Sequence, residues 1–591
     1  MLLYITIPIL LLTILFFKLR KSTDTALRTA YDYIVIGAGS SGCVVASRLS
    51  EDKTKTVLLL EAGSSDNVDP KIGIPGCYIE LQRTGYDWNF QMQPQDHGAK
   101  AWNVIRCPRG KCLGGSSTIN GMAYCRGDSS DYDSWEKLGA EGWGWTDVLP
   151  YFLKSEDNSV PSHKGSPYHN SGGLLPVSEQ RFSQPIMMDI IKAGLELGYK
   201  EVDVSSGKDI IGFGRFPATI KNDTRVSTSK SFLKAAIGRP NLTVVTGAHV
   251  NKIELENKRA VGVHFIKDKT PTYVGANKEV IVSAGAVCSP QILMLSGIGP
   301  KSHLEDVDIE CVQDLPVGDN LQDHYAFLLK ATIANKDDTI IVSDAGVPTL
   351  INYMLGRKSI LASNGLDSTA FLRTELDKDT EWPDLQLHIA PCFNFGGTEE
   401  RSLFSVKNAE LGTKLGFDKP LKEQMQQAGI TFMPSLLHPR SIGSIRLRDS
   451  NPRHPPCIDP NYLEDQYDVD VLVKGMRLVK KLVDTSALKE KGVKLLNIQM
   501  PGVSEEEYSD VNMTEYIRHF GGTLYHVCGS CKMGSADDPT AVVDPKLRVR
   551  GIEGLRVVDA SIMPHIVSGN TNAPCIMIGE KAADLIQMDS K

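Results

Sequence analysis

Near its start the chain carries residues able to grip two phosphates and a ribose. Gly37-Ala38-Gly39-Ser40-Ser41-Gly42 is a GxGxxG string, set directly after an apolar run at 33–36 and before a helical pattern that reaches Leu49. The first glycine permits a tight turn, the second lets the backbone approach a pyrophosphate, and the third allows helix and sheet to pack closely. The helix amino end then turns unpaired N–H groups toward negative phosphates. Glu61 follows 19 residues after Gly42, at the end of a second apolar run over 57–60. A carboxylate there can accept both ribose hydroxyls, and it suits an adenosine without a 2′-phosphate. The set predicts FAD or NAD rather than NADP, and the loop alone does not choose between those two.

The elements that must position this loop follow from periodicity. The runs at 33–36 and 57–60 are nearly continuously apolar, as strands buried on both faces of a parallel sheet are, so the segment reads as a β-α-β unit. Residues 64–125 are rich in Gly, Pro and aromatics without steady periodicity, and read as a long excursion packed on something such as a ligand. Helical patterns cover 131–155 and 183–197, short strands return between 241 and 298, and a helix is expected at 289–296. From 316 to 500 strands mix with helices and Pro-containing turns, and LRVVDAS near the carboxyl end precedes a helix from Ala573 onward. Such signals at the start, middle and end predict one nucleotide-binding domain built from separated segments, with a second domain inserted between them. The predicted ranges are 30–155, 236–315 and 520–591 for the first, and 156–235 and 316–519 for the second.

Composition bounds the class. Of 591 residues 41% are hydrophobic and 23% charged, which describes an ordinary globular chain and excludes a disordered, collagenous or polytopic membrane protein. A net charge of −7 without a basic block gives no grip on phosphodiester backbones, so no nucleic-acid partner is expected. Twelve scattered cysteines are far too few for a disulfide scaffold. Residues 2–17, LLYITIPILLLTILFF, are uncharged, and Lys18-Leu19-Arg20-Lys21 follows at once. The run falls short of the roughly 20 residues a span wants, although basic stems can lengthen it. Positive charge behind the run, with no small-x-small site after it, fits an anchor or signal-anchor over residues 1–21 better than a cleavable signal. This predicts membrane association through residues 2–17 and a membrane-anchored or secretory-pathway location, its side undecided.

Three longer strings go further. Residues 109–127 read RGKCLGGSSTINGMAYCRG, residues 285–300 read GAVCSPQILMLSGIGP, and residues 526–574 run HVCGSCKMG … DPKLRVRGIEGLRVVDASIMPHIVSGNTNAP. Together they resemble the glucose-methanol-choline (GMC) oxidoreductase family of FAD-dependent alcohol oxidisers, most of all its animal choline-dehydrogenase and glucose-dehydrogenase-like branch. The resemblance runs from residue 31 to 591. It implies an α/β fold: a GMC-type FAD-binding Rossmann-like domain with an inserted α+β substrate domain on an antiparallel sheet. It implies that Gly114, Gly115, Ser116 and Ser117 lie along the flavin and pyrophosphate, that Asn120 and Ala123 lie near the isoalloxazine ring, and that Arg109 also binds the cofactor. It sets the backbone of Val250 at the adenine and Asp559 and Ala560 near the ribityl and pyrophosphate portion, and it makes Thr571 a further cofactor-binding residue. Some relatives attach the flavin covalently through a histidine in this loop. Ile119 stands at the matching position and has no nucleophilic atom, so the expected cofactor is FAD, non-covalently bound.

Oxidation of an alcohol at flavin N5 needs a base for the hydroxyl proton and donors for the developing alkoxide. The resemblance makes His526 that base. It makes Asn570 the second member of the pair, histidine in some branches and asparagine in choline-oxidising relatives. Asparagine cannot take a proton, so Asn570 is expected to donate a hydrogen bond to the substrate oxygen. His388 is a candidate pocket residue and His565 a candidate rim residue; Tyr86, Trp88, Trp143 and Trp145 are aromatic candidates for the substrate pocket. Cys528 and Cys531 form a CxxC with no second such pair at ligand spacing, so burial is expected and no metal site is predicted. The expected substrate is a primary or secondary alcohol, with choline, a sugar, an aromatic or a long-chain alcohol all open. An anchored enzyme sits where a lipid quinone diffuses, which favours a quinone-like acceptor; the alternative is an oxidase that uses O2 and releases hydrogen peroxide. The competing class, a non-catalytic FAD-fold binding protein, would be expected to keep the glycines and lose His526.

Overall fold

The computed structural model of the chain describes residues 27–102, 104–341, 346–378, 380–393 and 426–590. Strand β1 (Ala30–Ile36) turns through the glycine string into helix α1 (Ser40–Leu49), and β2 (Val57–Glu61) returns parallel to β1 with Leu60 opposite Ile36. Every residue of β2 is buried, as its unbroken apolar run requires. Strand β3 (Leu242–Thr246) lies parallel to β2 on its outer side. The meander β4 (His249–Glu256), β5 (Arg259–Lys267) and β6 (Thr270–Val282) then folds antiparallel until the end of β6 runs parallel beside β1. Helix α2 (Gly285–Leu295) leaves the end of β6.

The second sheet is antiparallel. It contains β7 (Tyr325–Phe327), β8 (Leu329–Thr332), β9 (Ser368–Leu372), β10 (Leu385–Ala390) and β11 (Gly429–Leu436). Helix α3 (Gln466–Val483) packs on it so closely that a Cβ at Gly475 would lie 2.9 Å from Leu385 and 3.1 Å from Pro434. Strand β12 (Gly521–Thr523) joins the edge beside β7, giving the order β9-β10-β11-β7-β12. The sequence reading assigns 520–591 wholly to the nucleotide-binding segments, but β12 pairs with the second sheet. The chain then returns through β13 (Leu555–Val557), parallel to β6, and ends in helix α4 (Asn572–Asp589). Arg48 of α1 donates to both carboxylate oxygens of the buried Glu580 of α4, at 2.8 and 2.7 Å, which clamps the carboxyl-terminal helix to the first one. His526, three residues past β12, therefore sits at the seam between the two sheets.

The expected membrane association is corrected. Among the described residues no helix is long and apolar enough to cross a membrane. The two 18-residue helices, α3 and α4, show why: each is interrupted by charged residues, such as Asp468, Lys474 and Arg477 in the first and Glu580, Lys581 and Asp584 in the second. The anchor or signal expected over residues 1–21, including the run at 2–17, lies outside the described residues. A membrane-anchored or secretory-pathway location rested on that run alone and is dropped with it.

Candidate active site

The glycine loop is held by backbone packing on three sides. Gly37 adopts φ +98° and donates to the carbonyl of Leu60 at 2.8 Å, and a Cβ there would lie 2.5 Å from the carbonyl oxygen of Ser283. Gly39 differs: a Cβ on it would face open space, with only the Ser283 oxygen 3.9 Å away. Gly39 is also the residue before α1 and supplies no side-chain cap, so the first N–H groups of the helix stay available. Glu61 points back at the loop. Its Oε2 accepts from the amide of Ala38 at 2.9 Å and its Oε1 from Gly63 at 2.8 Å, and burial pushes its carboxyl up to about 7 against the pull of those two amides.

A cleft with about 2000 Å³ of empty space, part of it open to solvent, joins this loop to His526 and Asn570. Gly37, Gly39, Ser40, Ser41 and Glu61 line it at the first strands, and Val250 lines it from β4. Arg109, Gly115, Ser116, Asn120 and Ala123 enter from the long excursion, and Asp559, Ala560 and Thr571 from the carboxyl-terminal segment. The donor set fits FAD. The hydroxyl of Ser283 is buried in the lining without a partner, the helix start is uncapped, and Gly39 leaves room for a phosphate against the backbone.

Three predicted contacts act one layer behind the cleft. Gly42, Gly114 and Ser117 do not line it. Gly114 donates to the carbonyl of Ala38 at 2.8 Å, and the Ser117 hydroxyl donates to Gly114 at 2.6 Å while bonding Thr228 at 3.1 Å. A Cβ on Gly115 would stand 2.6 Å from the Cα of Gly39, so the GGSS string braces the first glycine loop. Asp559 likewise works through neighbours. Its Oδ2 accepts from the Gly285 amide at 2.9 Å and the Ser289 hydroxyl at 2.5 Å, and its Oδ1 from the Ser561 amide at 2.8 Å. Burial raises its carboxyl, and those donors oppose the rise. Arg109 donates to the carbonyl of Tyr525, tying the excursion to the residue before His526.

At the seam, the Nε2 of His526 lies 3.0 Å from the Nδ2 of Asn570, and the Asn570 Oδ1 lies 3.4 Å from the Nε2 of His388 on β10. The amide of His526 donates to Oδ1 of the buried Asp323 at 2.8 Å, and that carboxylate also accepts from the hydroxyls of Tyr462 and Thr523, each at 2.5 Å. His526 is 8% exposed. Burial, then the neighbouring His324, His388 and Arg109, hold its imidazole well below the usual range, and burial takes His388 down to about 4. Both rings are therefore neutral near pH 7.

Some sequence candidates fall elsewhere. Trp143 and Trp145 belong to an aromatic cluster with Tyr132, Trp135 and Phe152, and Trp143 spends its N–H on the carbonyl of Pro545 at 2.8 Å. Tyr86 packs against the Ile72, Leu81 and Ile119 cluster. Trp88 does line the cleft, beside His249 rather than at the seam. His565 is absent from the lining, its carbonyl taken by Trp135 at 3.0 Å. Cys528 and Cys531 are fully buried and free. Sequence reasoning missed His324 and Asp323, whose string GDNLQDHYAF carries no signal beyond an acid and an imidazole before a strand. It also missed His163, His169 and Asp203, whose donor atoms lie within 4.8 Å of one another. Those two rings stack nearly parallel at 14°, and His169 is already engaged by Asp203 at 2.7 Å and Glu156 at 3.0 Å, as an ion-pair network would be.

Two models of the GMC oxidoreductase family match, over residues 31–326 and 439–579. The chain belongs to the GMC oxidoreductase family. Its fold is that family's α/β FAD-binding architecture with an inserted antiparallel-sheet substrate domain, and its chemistry is FAD-dependent oxidation of an alcohol or sugar. This GMC oxidoreductase is 39% identical to a glucose dehydrogenase [FAD, quinone] of Drosophila melanogaster, over 94% of the chain and 87% of the relative. It is 37% identical to an oxygen-dependent choline dehydrogenase of Brucella ovis, over 94% and 95%. Among solved structures it resembles pyridoxine 4-oxidase from Mesorbium loti, with a TM-score of 0.79 at 28% identity, covering 95% of this chain and 99% of that one.

Proposed function

We propose that this chain oxidises a primary or secondary alcohol with an apolar body, with His526 as the base and Asn570 as the donor to the substrate oxygen. The observation that carries this is the 3.0 Å approach of the Asn570 Nδ2 to the His526 Nε2 on the wall of one cleft. An alcohol oxygen set on the cleft side of the pair, within reach of both atoms, accepts from the Asn570 side-chain amide while its proton passes to Nε2. Bound FAD supplies the hydride acceptor. Asn570→Ala should slow anaerobic flavin reduction by about 10²–10³-fold, the worth of one transition-state donor; an unchanged rate at saturating alcohol would remove Asn570 from this role.

The second sheet suggests the substrate. His388 faces Met433 across β10 and β11, and Leu366, Tyr78 and Leu524 continue the same lining. Among the described residues the acids in the lining are Glu61 and Asp559, both bonded to amides of the nucleotide-binding segments. A quaternary ammonium finds no carboxylate in the lining at the seam, because Asp323 lies behind His526, outside the lining, and is spent on the His526 amide and the hydroxyls of Tyr462 and Thr523. A sugar finds few polar partners there. Titrating choline, glucose and aromatic or long-chain alcohols against bleaching of the flavin tests this directly. Bleaching by the hydrophobic alcohols is expected, and bleaching by choline or glucose alone would overturn the substrate reading.

Ile119 supports non-covalent FAD, being 4% exposed and packed among Ile72 and Leu81. Acid or heat should release all flavin into the supernatant, and a peptide near residue 119 carrying flavin mass would contradict this.

For the acceptor we favour O2. The anchoring argument for a quinone has lost its footing. Once His526 has taken the alcohol proton, its cation in the buried site would stabilise the anion that O2 becomes on taking an electron, which favours reduction of oxygen. The likeness to an oxygen-dependent choline dehydrogenase and to pyridoxine 4-oxidase supports this, while the glucose dehydrogenase relative favours a quinone-like acceptor as the second reading. Photoreduced enzyme should reoxidise in air-saturated buffer near the turnover rate with stoichiometric peroxide. Reoxidation that is fast only with a soluble quinone under argon would reverse the assignment.

A further inference from the structure

We propose that His324 is a positioning residue that fixes the tautomer of His526, holding its proton on Nδ1 so that Nε2 stands bare toward the cleft. The assignment rests on the proposed role of His526. The Nδ1 atoms of the two rings lie 2.9 Å apart, with ring centroids 5.0 Å apart and planes at 88°. Two ring nitrogens at that distance share one proton, so one ring donates and the other accepts.

The surroundings choose between the two arrangements. If His324 donated, neutral His526 would carry its proton on Nε2, aimed at the N–H of Asn570 only 3.0 Å away, donor against donor. If His526 donates from Nδ1, its Nε2 is the acceptor that Asn570 needs. His324 then carries its own proton on Nε2. That atom is buried without a well-formed hydrogen bond, but the backbone groups bearing on the ring are the carbonyls of Leu437 and Val567, which can only accept. Burial also takes the His324 imidazole down to about 3, so it stays neutral and takes no second proton from His526. In the reaction the alcohol O–H bond breaks and an N–H bond forms at Nε2 of His526, while nothing moves along the bond to His324. The charge stays on the ring facing the cleft, and His324 stabilises it as an acceptor.

Neutron diffraction from FAD-loaded, deuterium-exchanged enzyme reads the tautomer without relying on turnover. A deuteron on Nδ1 of His526 and none on Nε2 is expected, and a deuteron on Nε2 of neutral His526 would overturn the proposal. Two variants add a functional reading. His324→Asn places Oδ1 where Nδ1 stood and keeps an acceptor, whereas His324→Leu removes it. Flavin reduction should stay within about tenfold in the first and fall by about 10²–10⁴-fold in the second, as when an orienting partner of a catalytic histidine is lost. Equal FAD content in both variants separates this from lost binding. A wild-type rate in His324→Leu, or equal slowing in both variants, would reduce His324 to packing. If the leucine variant fails to fold, diffraction from the native enzyme still decides. If His526→Ala itself reduces flavin normally, the base assignment falls, whatever tautomer is seen.

Discussion

Replacing His526 by alanine is expected to slow anaerobic flavin reduction by about 10²–10⁴-fold, the usual contribution of a general base, while FAD stays bound. The ring is placed for this from two sides. Its amide is fixed on Asp323 at 2.8 Å, and its Nε2 meets the amide of Asn570 at 3.0 Å, so truncation removes the proton acceptor without touching the glycine loop or Glu61. Stopped-flow reduction under argon is the right measurement, because it separates the alcohol half-reaction from reoxidation. The pH profile gives a second handle. Burial lowers the His526 pKa, so the folded ring loses its proton below the free-imidazole value of about 6.5. The native reduction rate should therefore rise with pH through an acid limb that lies below pH ~6.5, then stay flat across neutrality. The alanine variant should lose that limb along with its rate. A near-normal rate at saturating alcohol would remove His526 from the reaction.

The nucleotide end of this site was legible because its signals are local. Strand, glycine turn, helix and acid lie within the 32 residues from 30 to 61, and each residue type answers one steric or electrostatic need of a bound pyrophosphate or ribose. The reactive end was legible only by resemblance. His526 and Asn570 are 44 residues apart and meet through the seam between two sheets, which no periodicity reports. His324 and Asp323 were invisible for a stronger reason. They are 202 and 203 residues from the ring and the amide that they hold, and their chemistry appears only once β7 lies beside β12. Trp143 and Trp145 failed in the opposite sense. Large aromatics are plausible in any pocket, yet here they fill an aromatic core around Tyr132. The glycine pattern also hid a division of labour: Gly39 faces the cleft, while Gly42 and Gly114 shape the loop behind it.

That division sets the second large effect, expected at Gly42, which never reaches the cleft. A Cβ on Gly42 would lie 1.9 Å from the carbonyl oxygen of Gly37, 3.1 Å from its carbonyl carbon and 3.2 Å from the Cβ of Ser283. The first two are backbone atoms, and Gly37 is itself tied to Leu60 at 2.8 Å, so the loop cannot yield without breaking the turn. Nor can α1 retreat, because α4 packs on its other side with a Cβ at Gly579 already only 2.9 Å from the Ser41 carbonyl. Gly42→Ala should therefore cost about 3 kcal/mol, at the upper end for overpacking, which lowers the melting temperature of the apoprotein. If the loop opens to relieve the clash, FAD affinity should fall by about 10²-fold, the same energy read as binding. Gly39→Ala provides the contrast. Its new methyl group enters open space in the apoprotein, so apoprotein melting should be unchanged, while FAD retention falls if the backbone there approaches the pyrophosphate. The ratio of flavin to protein absorbance after gel filtration, read beside apoprotein melting, distinguishes the two variants. A Gly42→Ala protein that melts normally and stays yellow would mean that helix and loop separate more easily than their packing implies.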